Sequence, residues 1–290
     1  MRGAIARSLF SASLGALLAA SPAAAQDASK GFQFLYGSAE GAAISRQAFN
    51  GVVSLAMARK AQREAGLPLV QTVLAPGSTL EHPAFEACGD KPLAAVFDVD
   101  ETMLLNIGFE YWDAGRPAGS TFSFKAWENW EKTGFDKVAA VPGALEAAAK
   151  LSAAGITVIY NTNRTSAHAE ETAQAIEFAG FPRPVPGKDL FTDADGSGAK
   201  DPRRAAIAAT YCVVAMGGDQ LGDFSDLFSP KPMDIHARRA TTAGPAIASL
   251  WGQGWFVLPN PVYGKGVVGD LDTVFPDTAL RWTYSEGKQP

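Results

Sequence analysis

A five-residue apolar run that ends in two acids limits this chain more than any other stretch. Leu93-Ala94-Ala95-Val96-Phe97 has no polar member, and Asp98-Val99-Asp100-Glu101-Thr102 follows it without a break. An uninterrupted run, as opposed to an alternating one, predicts a strand buried on both faces, as inside a parallel sheet covered by helices. In open α/β sheets ligands sit in the crevice beyond the carboxyl ends of the strands. Two carboxylates placed there repel each other unless a cation lies between them. A hard divalent ion such as Mg²⁺ suits the place, because it takes carboxylate and carbonyl oxygens and commonly shares them with phosphate. A lone D-x-D at a strand end also describes a solvated acidic turn. The remaining chain decides between the two.

The first 25 residues read as a leader separate from the fold. Arg2 and Arg7 make a positive start, Leu9 to Ala20 is largely apolar, and Ala23-Ala24-Ala25 offers an A-x-A cleavage site. The apolar part is shorter than the ~20 residues a membrane span needs. No Cys lies near the cleavage point to carry a lipid, so the expectation is a periplasmic or secreted protein without a stable membrane anchor. The leader carries two arginines and no acid, so the rest is more acidic than the net −5 of the whole chain. With no basic run, nucleic-acid polymers are not expected partners. Cys88 and Cys212 are the only cysteines. Export permits a disulfide between them, while Cys212, inside the apolar run Tyr211 to Met216, reads equally as a small buried side chain. Two Cys and three His give no zinc-site spacing.

Apolar residues at helical spacing predict one long helix over Ser38 to Ala65, followed by a Pro/Gly-rich connection over 66–90. About 40 residues rich in Tyr and Trp come after Thr102. A structureless loop of that length does not suit a compact domain, so a helical insertion over the strand ends is predicted at about 106–141, with one helix over Ser123 to Lys132. Further strands are predicted over Ile156–Tyr160, Tyr211–Met216 and Trp255–Leu258, and helices up to Ala154, over Ala167–Ala179 and over Asp201–Thr210. Strands alternating with helices give a doubly wound parallel α/β sheet. The expected organisation is a leader (1–25), an N-terminal helix and connection contributing to a helical cap (26–90), and a core carrying the insertion (91–290).

Four polar clusters fall at ends of core elements. Asp98 and Asp100 follow the first strand, Asn161-Thr162-Asn163-Arg164 the second, and Gly218-Asp219-Gln220-Leu221-Gly222-Asp223 the third, while Lys200 opens a helix. In this order they resemble the four motifs of the haloacid dehalogenase superfamily of phosphatases. More narrowly, Asp98 to Asn106, Thr162 to Arg164, Gly218 to Phe224 and Leu258-Pro259-Asn260-Pro261-Val262-Tyr263-Gly264 resemble the class C bacterial acid phosphatases, a group that includes outer-membrane lipoprotein 5′-nucleotidases. The likeness runs from about Phe34 through Tyr263. The lipidated Cys of those lipoproteins is missing here.

The resemblance implies a Mg²⁺-dependent acid phosphatase that hydrolyses small phosphate monoesters through an aspartyl-phosphate. Asp98 would be the nucleophile and Asp100 the general acid and base. Asp98 and Asp219, with the Asp100 carbonyl, would hold the metal, and Asp223 would bind it directly or support those that do. Thr162 and Lys200 would bind the phosphoryl oxygens. Asn163, Arg164, Trp127 and Tyr263 would contact substrate, with the cap as the alternative partner of Arg164 and nucleoside 5′-monophosphates favoured. Trp112 and Trp130 are expected in the cap core, and His168 as a solvated helix residue. The alternatives are a phosphatase or phosphotransferase without nucleotide preference, or an inactive binding protein of the same fold. Oligomeric state is left open. Asp193 to Gly198 resembles the start of a calcium loop, but its twelfth position is Arg204 where Glu is required. A turn before Lys200 is expected instead.

Overall fold

The computed structural model describes residues 28–117, 119–229 and 234–284, so the predicted leader lies outside the described residues. The strands, in chain order, are β1 (Val70–Leu74), β2 (Phe85–Ala87), β3 (Leu93–Phe97), β4 (Leu104–Leu105), β5 (Ala139–Ala140), β6 (Thr157–Thr165), β7 (Leu190–Asp193), β8 (Cys212–Gly218) and β9 (Trp255–Val257). Five of them form a parallel sheet in the order β7-β6-β3-β8-β9. The acid-tipped run is therefore the central strand, flanked by β6 and β8.

All five β3 residues are buried, and alternation sends them into two separate cores. Leu93, Ala95 and Phe97 join one with Phe49, Val52, Ala56, Leu151 and Ile176, from the helices Ala39–Glu64, Ala144–Ala153 and Ala169–Phe178. Ala94 and Val96 join the other with Ile207 of the helix Asp201–Thr210 and with Val73, Phe224, Phe228 and Trp255. This two-sided burial is why β3 shows no polar alternation in sequence.

Two features differ from the sequence reading. The segment 66–90 is not a plain connection: β1 and β2 form an antiparallel hairpin. Gln71 Nε2 donates to the Ala208 carbonyl (3.0 Å), and the Thr72 carbonyl accepts from Trp255 Nε1 (2.8 Å). The hairpin ends at Cys88, which is disulfide-bonded to Cys212 at the start of β8, with both residues buried. The helix Ala39–Glu64, expected to contribute to the cap, instead packs on the sheet: its Phe49 ring lies 6.1 Å from that of Phe97, and Gly51 faces Phe256. The turn ahead of it reaches the strand ends through Tyr36. Phe49, Val52 and Ala56 are buried on the face turned to the sheet, which settles its place.

The insertion is closed at its base by antiparallel pairing of β4 with β5 and carries the helices Ile107–Ala114 and Phe124–Thr133. Its centre is Phe109, which the sequence did not single out. Phe109 meets Trp127 edge-on at 4.9 Å and packs near Trp112, Phe122 and Trp130. Trp130 is buried as expected. Trp112 is not; it stays 45% exposed under the Arg116 guanidinium. Among the described residues no helix is long and apolar enough to cross a membrane.

Candidate active site

Three strand ends and one helix start bring the predicted residues together. Asp98 leaves β3 with its N–H bonded to the Gly217 carbonyl (3.0 Å), which fixes the chain where the sheet stops. Asp219 and Asp223 come from the turn after β8. Carboxylate oxygens of Asp98, Asp219 and Asp223 all lie within 4.8 Å of one another. Lys200 Nζ reaches into this group, donating to Asp98 and to Asp223 (2.6 Å).

The charges do not balance. Burial pushes Asp98 well above the ordinary carboxylate range, and Asp223, Asp219 and Asp100 add to the effect against the pull of Lys200. Asp219 is raised to about 6, first by burial and then by Asp223. Burial alone would lower Lys200, yet Asp223 and Asp98 hold it above its usual value, so it stays an ammonium. One ammonium among three buried carboxylates leaves negative charge that a divalent cation would neutralise. The donors are all hard oxygens, so the residues present fit Mg²⁺.

Neighbours orient each ligand. Asp219 accepts from the Thr102 hydroxyl (3.1 Å), Gln220 Nε2 (3.0 Å) and Asn260 Nδ2 (2.7 Å). Asp223 Oδ2 accepts the Gln220 N–H (2.9 Å), in a turn so tight that a Cβ on Gly218 would overlap the Asp223 side chain. Lys200 sits at the N-cap of its helix. Asp226 accepts the N–H of both Lys200 (3.0 Å) and Asp201 (2.8 Å), and the fully buried Arg204 pairs with Asp201 and Asp226. Asp193 accepts from the N–H groups of Gly196 and Gly198, making the expected turn ahead of Lys200.

Thr162, in β6, is buried; its hydroxyl accepts the Arg164 N–H (3.1 Å) and donates to Asp100 Oδ2 (3.4 Å). Arg164 donates from Nε (2.9 Å) and Nη2 (2.7 Å) to Asp100 Oδ1 and also bonds Asn106. Asn163 lies beside the site and bridges two neighbours: its Nδ2 donates to the Gly198 carbonyl (3.1 Å) and its Oδ1 accepts from Arg203. One end of that amide holds the loop before Lys200 and the other the helix after it. Trp127 is half-buried, with its Nε1 donating to Glu131 (3.1 Å). The Tyr263 hydroxyl donates to Glu101. His168 caps the helix after β6, its carbonyl accepting the Thr172 hydroxyl.

Sequence reasoning passed over Glu101, Asn106 and Asn260. Glu101 occupies a left-handed backbone position (φ 54°), which non-glycine residues rarely adopt. Its carboxylate accepts from Tyr36 (2.8 Å), Tyr263 and Asn106. Burial, with Asp100 beside it, raises it to about 7. Asn260 had a readable signal, since it is the one polar side chain in Leu258-Pro259-Asn260-Pro261-Val262. Glu101 had none beyond its place next to Asp100.

The family profile described as HAD superfamily, subfamily IIIB (Acid phosphatase) matches residues 69–266. The chain belongs to that family. As a subfamily IIIB acid phosphatase it is a phosphomonoester hydrolase, and its five-stranded parallel sheet is the fold of that group. Two solved structures are similar. The class C acid phosphatase from Bacillus anthracis with tungstate bound is 18% identical, with a TM-score of 0.61 over 88% of this chain and 96% of that one. A second structure of the class C acid phosphatase from Bacillus anthracis is 19% identical, with the same TM-score and coverage. No curated protein matches the chain. Enzymes of this superfamily generally use a divalent metal, and in this subfamily IIIB acid phosphatase Asp98, Asp219 and Asp223 form a cluster able to bind one.

Proposed function

We propose that this acid phosphatase is an exported, Mg²⁺-dependent enzyme that prefers nucleoside 5′-monophosphates. The observation that carries the metal dependence is the surplus of buried carboxylate at Asp98, Asp219 and Asp223 around the single Lys200 ammonium. These three side chains, with the Asp100 carbonyl, would hold the ion, which when bound neutralises phosphoryl oxygens and fixes their direction.

The chain's own groups account for the steps. Asp98 attacks phosphorus, forming an aspartyl-phosphate as the ester P–O bond breaks. Asp100 gives its proton to the leaving oxygen, then takes one from the water that attacks the intermediate and frees Asp98. Lys200 and Thr162 stabilise charge spread over the phosphoryl oxygens.

Nucleotide preference is supported by two aromatic residues near the catalytic carboxylates. Tyr263 is held by its hydroxyl on Glu101, next to Asp100, and Trp127 stands in the cap beside Arg164. Base stacking on such rings contributes roughly 1–3 kcal/mol each and tolerates any base. Export is supported by the leader-like start and by the buried Cys88–Cys212 disulfide, a bond of oxidising compartments.

The test is a panel of phosphate monoesters assayed with Mg²⁺ and with a chelator. AMP should be turned over with a higher kcat/KM than glycerol phosphate, and chelation should stop both. Tyr263→Ala should narrow that ratio while sparing an aryl phosphate. Equal kcat/KM for AMP and glycerol phosphate would leave a general acid phosphatase, and full activity in chelator would remove the metal. Mass spectrometry of exported protein should find a chain starting at Gln26; an intact leader or a lipid mass would overturn export.

A further inference from the structure

We infer that Arg164 is a positioning residue: it clamps one oxygen of Asp100 so that the other, Oδ2, carries the proton, and the cap residue Trp127 holds Arg164 in place. The inference rests on the reading of Asp100 as the proton donor.

The two oxygens of Asp100 are not equivalent. Oδ1 accepts from Arg164 Nε (2.9 Å), Arg164 Nη2 (2.7 Å) and Asn106 Nδ2 (2.9 Å). Three donors saturate it. Among the described residues Oδ2 has only the Thr162 hydroxyl, at a long 3.4 Å. Thr162 belongs to the cluster assigned to the phosphoryl oxygens, so Oδ2 is the oxygen turned toward the reacting centre. The sequence left Arg164 to contact either the phosphate or the cap. Its side chain is 2% exposed, and the N–H groups of Nε and Nη2 are committed to Asp100 and Asn106.

What keeps Arg164 there comes from the cap. Its guanidinium lies 5.8 Å from the centre of the Trp127 ring, within cation–π range. The Trp127 N–H donates to Glu131 Oε1 (3.1 Å), and the same oxygen accepts the N–H of Thr165 (3.1 Å), the residue after Arg164. Cap helix and β6 are thus tied on both sides of the guanidinium. Asn106, where the insertion begins, closes the circuit by bonding Arg164 Nη2 through Oδ1 (2.8 Å). A planar fork suits this task better than a point charge, because two N–H groups meet one oxygen along fixed directions.

In the first step the bond from Asp98 to phosphorus forms as the ester bond breaks, and the Oδ2 proton moves to the leaving oxygen. In the second, water attacks phosphorus, the bond from phosphorus to Asp98 breaks and frees its carboxylate, and a proton of the water goes to Oδ2. Loss of the clamp should therefore matter most when the leaving oxygen needs that proton. General acid catalysis contributes about 10²–10⁴-fold.

The experiment measures kcat/KM for 4-nitrophenyl phosphate, whose leaving group departs without a proton, and for an alkyl phosphate, whose leaving group does not. Asp100→Asn, Arg164→Met, Arg164→Lys and Trp127→Leu are compared with the native enzyme in saturating Mg²⁺. Arg164→Met should lose about 10²-fold or more on the alkyl ester and less than about tenfold on the nitrophenyl ester. Arg164→Lys should recover only part of the difference, and Trp127→Leu should show a smaller loss of the same kind. An Arg164→Met variant that loses both activities equally, with Asp100→Asn still discriminating, overturns the inference and leaves Arg164 structural. If Asp100→Asn itself does not discriminate, the reading of Asp100 as acid fails instead. Should Arg164→Met not fold, Arg164→Lys and Asn106→Ala decide, because each disturbs the clamp while keeping a cation at position 164.

Discussion

Opening the Cys88–Cys212 disulfide should cost this fold a large share of its stability without touching the catalytic groups. The bond joins the end of the β1–β2 hairpin to the first residue of β8 across a sequence separation of 124. Releasing a loop of that size restores chain entropy to the unfolded state equivalent to about 5 kcal/mol. For a protein of this length each kcal/mol moves the midpoint by about 2–4 °C, so Tm should fall by about 10–20 °C. Both cysteines are buried, and a reductant will not reach them in the native state. The assay is therefore thermal and urea unfolding of the oxidised protein beside the same protein unfolded and refolded in reductant, with free thiols titrated in each. The reduced form should also show a larger urea m-value, because its unfolded chain expands further. Coincident midpoints within about 2 °C, a small fraction of the expected shift, would refute the reasoning. So would two titratable thiols in the oxidised protein.

Other outcomes are equally open to measurement. Asp98→Asn should lose several orders of magnitude in Mg²⁺-dependent turnover while keeping the native circular dichroism spectrum; near-normal turnover would remove Asp98 as nucleophile. Asn260→Ala removes one of three donors that orient Asp219, so half-saturation with Mg²⁺ should need about 10–100-fold more metal, read from activity titrations. Glu131 is raised to about 7, chiefly by burial, against the Thr165 N–H and Arg164. A folded-state value above the unfolded one gives stability that is complete below the unfolded pKa and declines as pH rises toward 7. Glu131→Gln keeps an oxygen for Trp127 and Thr165 but cannot ionise, so its stability relative to the native protein should improve from pH 5 to pH 8, measured by urea midpoints.

Much of this arrangement could be read before any coordinates. Leu93–Phe97, Ile156–Tyr160 and Tyr211–Met216 are apolar without alternation because helices cover both faces of the sheet, and burial of that kind is written directly into composition. Asp98, Asp219 and Asp223 were legible for a related reason: polar residues just after such a run stand at a strand end, while Lys200 was legible as the residue that opens a helix. The β1–β2 hairpin was not legible. Val70-Gln71-Thr72-Val73-Leu74 puts its polar side chains inward, onto backbone groups of Ala208 and Val213, so no outward polar face marks it as a strand. The partner of Arg164 was hidden as well. It depends on Asn106 and Trp127, and only folding brings them near. The aromatic richness of the insertion was visible, but which ring would centre it was a matter of geometry, and Phe109 took that place.

Glu101 also has a meaning in time. It follows Asp98 and Asp100 directly, yet its hydroxyl partners arrive from opposite ends of the fold, Tyr36 at a separation of 65 residues and Tyr263 at 162. Contacts of such range close late, because loop entropy must be overcome before they return anything. The catalytic loop is therefore finished only once the sheet, both flanking layers and the turn after β9 are in place. A chain halted short of Tyr263 would carry the nucleophile, and even the cap, with Glu101 lacking one of its two phenols. A chain halted there lacks part of what holds the catalytic loop, however complete its nucleophile and cap.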